Sequence, residues 1–371
     1  MDESLTLWGI LLTLTALGLW LEHRYRWAAR VGGSLIILLL AALCANLGVI
    51  PQQSAVYDTI YGPVTSLAIV WLLLLVNLQD VRRLGRSALL AFGIAAVGTL
   101  MGALLASLLF HSRFGGDTPR LAGSLAASYI GGSLNFVSVG RALNLTDLLF
   151  TAATTADNLL TAVWLGFTLT LPSVLARFYP QRSATDALAL SPLPTASAIA
   201  PLDLAILLSL GMGVLVLATA LHQFWPVIPT VVWLTTLSVA IAQFQWVRYL
   251  RGTGALGMFS LNLFFTVIGA GTHLPSLVPV GVEIVLFAAT IVFSHGVVIS
   301  GLGYLFKLDV ELLALASQAA VGGPTTAAAQ ASGRHQPALL GVGITLGLLG
   351  YGVANYLGWA MAQLLNWLEL G

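Results

Sequence analysis

Apolar runs close to the length that crosses a bilayer constrain this 371-residue chain more than any other feature. Inside lipid every backbone N–H and C=O must be bonded within the protein, so only helices and closed barrels can span it. The runs cover 4–21, 32–50, 59–79, 87–110, 147–174, 203–221, 227–245, 254–273, 279–305 and 337–366. Their length favours helices over strands. The sequence therefore predicts an all-α membrane protein with about ten transmembrane helices.

The composition agrees with a membrane protein. Hydrophobic residues make up 58% of the chain and charged residues only 8%, whereas about a quarter of a soluble domain is charged. The single cysteine, Cys44, excludes an internal disulfide. We expect a multi-pass protein of the cell membrane, surrounded by lipid, with no cofactor and no nucleic-acid partner.

Two short motifs of the same shape interrupt apolar sequence at matching places in the two halves. They read Gly131-Gly132-Ser133-Leu134-Asn135 and Gly322-Gly323-Pro324-Thr325-Thr326. A Gly-Gly pair followed by polar residues breaks a helix and leaves backbone groups free, which is tolerated at membrane depth only next to protein or a polar cavity. Paired breaks of this kind point to the binding site of a secondary transporter.

The distribution of basic residues indicates how the motif segments, about 119–143 and 312–333, meet the membrane. Cytoplasmic loops carry the excess of arginine and lysine. If both segments enter and return on one side, with both termini extracytoplasmic, only three of the fifteen basic residues lie outside. If both cross, seven do. The count favours two re-entrant hairpins. The evidence is strong for the first segment and weak for the second, because Arg334 is the only basic residue that changes side if the second segment crosses. Broken helices that cross fully remain the alternative.

Re-entrant hairpins divide the chain into two inverted repeats, 1–175 and 203–371. The Ser-, Thr- and Pro-rich stretch 176–202 between them has the composition of a cytoplasmic linker. Each hairpin arm is about half a bilayer long, so the two Gly-Gly tips should face each other near the midplane.

Asp157 is the one carboxylate that the sequence puts deep in a span. An acid at that depth is costly unless it is paired, hydrated or bound to a cation, so it marks a functional site by default. Its counterpart in the second half, counted from the Gly-Gly pairs, is Leu348. The alternative interpretation is a structural aspartate that caps broken backbone in the neighbouring hairpin.

The expected site combines the tips with the polar stripe around Asp157. Free N–H groups after each tip suit a substrate carboxylate, and side-chain oxygens suit sodium. The candidate ion- and substrate-binding residues are Gly131, Gly132, Ser133, Asn135, Thr154, Asp157, Asn158, Gly322, Gly323, Pro324, Thr325 and Thr326. The candidate sodium ligands among them are Asp157, Asn135 and Thr325.

Other polar residues within spans have weaker signals. His295 is interpreted as bonded to a neighbouring carbonyl, with proton relay as the alternative. Ser317 and Gln318 either line the second tip or join helices. A stripe of small residues after the second motif favours close helix packing, with Asn355 as a site contributor. The stripe comprises Gly343, Gly347, Gly350, Ala354 and Gly358.

At its motifs the chain resembles the YjcL-like family of membrane proteins of largely unassigned function. The similar stretches are Tyr129 to Phe136, Ala156-Asp157-Asn158, Leu263-Phe264-Phe265, Gly322 to Ala328 and Gly350-Tyr351-Gly352. That family looks distantly similar to the glutamate:sodium and citrate:sodium symporters and to the cation/proton antiporter–anion transporter superfamily. The resemblance implies inverted repeats, a core transport domain, a dimerising scaffold and elevator-type movement.

The sequence thus predicts a secondary active transporter, a sodium-coupled symporter of a small organic anion or amino-acid-like solute. A proton-linked exchanger or inorganic-anion transporter on the same fold is one alternative, and a passive channel is another. An enzyme is not expected, because no nucleophile–base pair or metal-ligand spacing appears.

Overall fold

The computed structural model describes residues 3–175, 179, 199–272, 274–334 and 336–368, and their regular structure is entirely helical. The predicted linker, 176–202, lies almost wholly outside the described residues. The first half contains α1 (Glu3–Arg24), α2 (Arg26–Val31), α3 (Gly33–Asn46), α4 (Ala55–Thr59), α5 (Thr65–Leu73), α6 (Leu78–Arg83), α7 (Arg86–Phe114), α8 (Thr118–Gly131), α9 (Ser133–Ala142) and α10 (Asp147–Leu175). The second contains α11 (Pro201–Phe224), α12 (Thr230–Ala242), α13 (Thr253–Ala270), α14 (Leu274–Leu305), α15 (Val310–Gly333) and α16 (Pro337–Trp367).

Eight helical segments of the described residues, rather than ten, are long and apolar enough to cross a membrane. The predicted spans 32–50 and 227–245 instead form α3 and α12, of 14 and 13 residues. At 1.5 Å per residue such helices reach about 20 Å, less than the ~30 Å hydrocarbon core. Gly32, with φ of 91°, delays the start of α3, and Pro229 precedes the start of α12.

The first motif segment folds back on itself as a helical hairpin. Its arms are α8 and α9, separated only by Gly132, whose φ is 84°. A Cβ on Gly140 in the second arm would lie 3.4 Å from Ser124 Oγ in the first. In a straight helix these residues would be about 24 Å apart. We call this unit the first hairpin.

The second motif segment also reverses, within α15. Gly323 has φ of 73°, and Arg334 Nε donates to Glu311 Oε2 over 3.2 Å although the two residues would be about 34 Å apart in a straight helix. The hydrogen bond to Glu311 raises the pKa of Arg334 above its ordinary value, so the guanidinium keeps its charge. We call α15 the second hairpin. The reversal of both segments agrees with the hairpin prediction, and the side from which each enters the membrane stays a prediction.

The two tips meet. A Cβ on Gly132 would lie 3.5 Å from Gly323 Cα, and one on Gly323 would lie 3.6 Å from the carbonyl oxygen of Gly131. The predicted opposition of the Gly-Gly tips is therefore present in the structure.

Helix α16 packs against both hairpins through its small residues. A Cβ on Gly350 would lie 2.5 Å from the Ile130 carbonyl oxygen, one on Gly358 would lie 2.5 Å from the Gly123 carbonyl oxygen, and Gly347 abuts Pro324. Because any larger side chain would collide with backbone, the stripe is the close-packing face that the sequence predicts.

The helices pack in two groups. Helices α7 to α10 and α14 to α16 contact mainly one another and form the hairpin group. Helices α1 to α5 and α11 to α13 likewise pack together and form the flanking group. Contacts between the groups are fewer and include polar ones, such as the hydrogen bond of 3.1 Å from Tyr61 Oη to Asp147 Oδ2.

Candidate functional site at the hairpin tips

The glycines of the two tips serve two separate purposes. Gly132 and Gly323 both combine a positive φ with an extended ψ, a conformation that side chains disfavour. The preceding glycines, Gly131 and Gly322, are helical but crowded. A Cβ on Gly131 would lie 2.7 Å from the Gly350 carbonyl oxygen, and one on Gly322 would lie 2.9 Å from a side-chain nitrogen. One glycine of each pair therefore permits the reversal and the other permits the close approach.

Asp157 lies against the first hairpin. It projects from α10, is only 4% exposed, and accepts a hydrogen bond of 3.0 Å at Oδ1 from Ser128 Oγ. Tyr129 and Ser133 also face the carboxylate. Ser128, Tyr129 and Ser133 thus place three hydroxyl groups around the carboxylate, and the Tyr129 side chain is fully buried. A carboxylate offers about four acceptor positions, so this one has capacity for a further ligand.

Asn135 links the first tip to α16. Its Nδ2 donates to the Tyr351 carbonyl oxygen over 3.0 Å and to Asn355 Oδ1 over 2.8 Å. Asn355 in turn donates to Thr235 in the flanking group, so it connects the first tip to that group, and its contribution to binding stays a prediction. The Oδ1 atom of Asn135 is buried against Gly131 and receives no hydrogen bond in the described part of the chain. The first tip therefore presents unsatisfied acceptors.

The second tip presents the opposite chemistry. Gln318 is fully buried, and its Oε1 accepts a hydrogen bond of 3.0 Å from Thr168. Its Nε2 points towards Gly322 and has no acceptor among the described residues. Thr326 Oγ1 is used locally, on the Gly323 carbonyl oxygen at 3.2 Å. In the sequence, the only signal for Gln318 is its closeness to the second motif. The sequence does not show whether a buried amide has all its hydrogen bonds or leaves one group without a partner.

Some of the predicted residues are not gathered around Asp157. Thr325 is exposed, and no hydrogen bond joins it to Asp157 within the described ranges. Thr154 donates to its own helix at Phe150, and Asn158 donates to Thr154, both over 2.8 Å. The proposed sodium set of Asp157, Asn135 and Thr325 is therefore not joined by direct contacts in this conformation. Its role in binding stays a prediction.

Comparison with known proteins gives the family. The family model described as a protein of unknown function (DUF819) matches residues 9–368. An uncharacterized membrane protein, YjcL of Bacillus subtilis (strain 168), is 31% identical over 389 residues, covering 99% of this chain and 97% of that relative. The chain therefore belongs to this family of multi-pass membrane proteins.

Proposed function

We propose that this member of the family is a secondary active transporter, a sodium-coupled symporter of a small organic anion or amino-acid-like solute. The observation that carries the proposal is the meeting of two broken-helix tips beside a buried carboxylate. Broken helices at the middle of a bundle are the usual way in which transporters expose backbone groups to substrate and ions. A protein with a purely structural role would gain nothing from two such breaks in contact.

Sodium is the coupling ion that the first hairpin suits best. Hard cations prefer oxygen ligands, and this side of the site offers the Asp157 carboxylate and the open Oδ1 of Asn135. An unpaired carboxylate in a low-dielectric interior is costly, and a bound cation offsets that cost. We expect the cation to bind and leave once in each transport cycle.

The second hairpin suits the negative end of the solute. The Nε2 of Gln318 is a buried donor that lacks an acceptor, and the helical arm after Gly323 begins at the tip. The start of a helix favours anions through its free N–H groups. A solute carboxylate at the second tip would therefore satisfy the open donor.

The two groups of helices support the mode of movement. The hairpin group holds both tips and Asp157, while the flanking group contacts it through a limited set of residues. We propose that the hairpin group moves as a unit against the flanking group, which would form the dimer contact. In this scheme the halves 1–175 and 203–371 are inverted repeats with extracytoplasmic termini.

Proton-linked exchange is the second candidate on the same fold. It is favoured by the burial of Asp157, because a bound proton removes the charge of a carboxylate in a low-dielectric interior, as a bound cation does. The absence of a second acid at Leu348 argues against exchange schemes that need two carboxylates.

A solute screen tests the proposal. The purified protein would be heated with organic anions and amino acids in sodium chloride or choline chloride, and any hit taken into proteoliposomes for counterflow. We expect stabilisation by a solute that requires sodium, and accelerated exchange from preloaded vesicles. A passive channel would give no acceleration, and a solute that stabilises equally in choline would contradict sodium coupling.

A further inference from the structure

A buried row of hydrogen bonds joins the two hairpins. His295, on α14, lies at its centre and is fully buried. Its Nδ1 is 2.9 Å from Thr99 Oγ1, and its Nε2 is 2.8 Å from Ser317 Oγ in the second hairpin. Thr99 Oγ1 reaches the carbonyl oxygen of Tyr129 in the first hairpin at 3.1 Å, and Trp164 Nε1 reaches Ser317 at 2.9 Å. The predicted carbonyl partner of His295 is the backbone of Ala95, and the two hydroxyls bond to the ring in addition.

The donors and acceptors fix the direction of this row. Thr99 Oγ1 lies 3.1 Å from the carbonyl oxygen of Tyr129 and 3.2 Å from that of Ala95. Both carbonyls only accept, so the single hydroxyl hydrogen of Thr99 is used on them and Thr99 Oγ1 accepts from His295 Nδ1. The Nε2 of a neutral imidazole is then an acceptor, which the hydroxyl of Ser317 satisfies. The indole of Trp164 donates to Ser317, so every member is satisfied with a neutral histidine protonated on Nδ1.

We propose that His295, in this neutral form, is a positioning residue that couples the first hairpin to the second. Each end of the row lies one residue from the candidate site. Tyr129 follows Ser128, which holds Asp157, and Ser317 precedes Gln318, whose Nε2 lacks an acceptor. A shift of the first hairpin on cation binding is thereby passed to the arm that carries the solute donor. The coupling of cation binding to the second hairpin rests on the proposed function, whereas the assignment of a neutral, Nδ1-protonated His295 does not.

Nitrogen-15 NMR of the protein labelled at its six histidines tests the form of His295 directly. We expect the spectrum at neutral pH to contain a neutral imidazole protonated on Nδ1 that is lost in His295→Asn and kept in His222→Asn. His222 is the matched control because its Nδ1 also donates a hydrogen bond, to the Ile228 carbonyl oxygen outside the hairpins. An imidazolium or an Nε2–H form at position 295 would overturn the proposal.

The coupling is tested by labelling the helical arm that follows the second tip. Ala329 on this arm is exposed and is not one of the candidate ligands, so Ala329→Cys in a Cys44→Ala background should react with a maleimide. We expect sodium chloride, compared with choline chloride, to change the labelling rate at least threefold. In His295→Asn, and in the smaller change Ser317→Ala, we expect this effect to vanish while sodium still raises the melting temperature.

The outcomes separate the two proposals. A sodium effect on labelling that persists in both variants would overturn the coupling role of His295. If sodium neither stabilises the background protein nor changes its labelling rate, the proposal of sodium coupling is wrong. The protonation form of His295 observed by NMR then tests the inference about His295 independently. If His295→Asn does not fold, the labelling of Ser317→Ala and the wild-type NMR spectrum decide.

Discussion

The first and second hairpins reverse the chain in the same way and then differ in the side chains that surround the reversal. Gly132 and Gly323 have φ of 84° and 73°, with ψ of −176° and −166°. Around the first tip the carboxylate of Asp157 and the open Oδ1 of Asn135 are acceptors that lie with the hydroxyls of Ser128 and Tyr129. In the second hairpin the open groups are a donor near the tip, the amide nitrogen of Gln318, and an acceptor farther along the chain, the amide oxygen of Gln330.

This difference shows which part of the motif sets geometry and which part sets chemistry. The glycines permit the same backbone at both tips, so they should be equally sensitive to substitution. The polar residues occupy matching positions yet pair differently: Asn135 bonds to α16, whereas Thr326 bonds within its own hairpin. Substitution of the polar residues should therefore affect the two hairpins unequally.

The largest effect is expected at the tip glycines. Gly132→Val and Gly323→Val each place a branched side chain at positive φ, where the opposite tip is 3.5 Å or 3.6 Å from the new Cβ. We expect each to abolish sodium-dependent stabilisation and uptake to a similar extent, in protein that stays monodisperse in detergent. Gly166→Val on α10 is the control, because a Cβ there meets no atom within 4 Å.

Two outcomes would break the equivalence of the tips. Wild-type uptake in either tip variant would remove that tip from the site. Aggregation of both, with Gly166→Val behaving normally, would make the glycines packing residues only.

A smaller and unequal effect is expected at the polar positions. Asn135→Ala removes two hydrogen bonds to α16, which should lower the free energy of unfolding by about 1–2 kcal/mol. Thr326→Ala removes only local bonds and should cost about 0.5 kcal/mol. Unfolding in a denaturing detergent, followed by circular dichroism, measures both. An equal or larger loss in Thr326→Ala would contradict the assignment of the interhelical contact to the first hairpin.

The smallest expected change in stability is at the ends of the hairpins opposite the tips, where the two arms begin and end. Arg334 pairs with Glu311 across the second hairpin and also donates to Ser173 on α10 over 2.9 Å, with the ion pair partly buried. Arg120 pairs with Asp117 only three residues away and ties no arms together. We expect Arg334→Gln to destabilise by about 1 kcal/mol and Arg120→Gln by less than about 0.5 kcal/mol.

Amide hydrogen exchange, measured in both hairpins, compares the effects of Arg334→Gln and Arg120→Gln. Faster exchange in Arg334→Gln, confined to α15 and the end of α10, is the expected result. If Arg120→Gln loosens the first hairpin to the same extent, the ion pair does not distinguish the two units.

The features that sequence could predict are those that depend on local chemistry. Helix-breaking glycine pairs predicted both reversals, and the isolated acid in an apolar run predicted the burial of Asp157. The pattern of small residues predicted the close packing of α16. Hydropathy overestimated the lengths of α3 and α12, which end at Asn46 and Ala242, before the predicted apolar runs end at 50 and 245.

The features that sequence could not predict depend on how distant helices meet. Nothing local distinguishes Gln318, which is buried with an open nitrogen, from Thr325, which is exposed. The hydroxyl partners of His295 come from two other helices, α7 and α15, so its bonding to Thr99 and Ser317 follows only from the packed arrangement. Orientation in the membrane likewise stays a prediction from the arginine count.

Equilibrium binding of radioactive sodium to the purified protein tests the central claim most directly. We predict saturable binding by the wild type and at least a tenfold weaker affinity in Asp157→Asn, about 1.4 kcal/mol. The matched control is Asp147→Asn on the same helix, whose carboxylate bonds to Tyr61 away from the tips and should leave the affinity unchanged. Equal sodium affinity in wild type and Asp157→Asn, or no sodium binding by the wild type, would contradict the account.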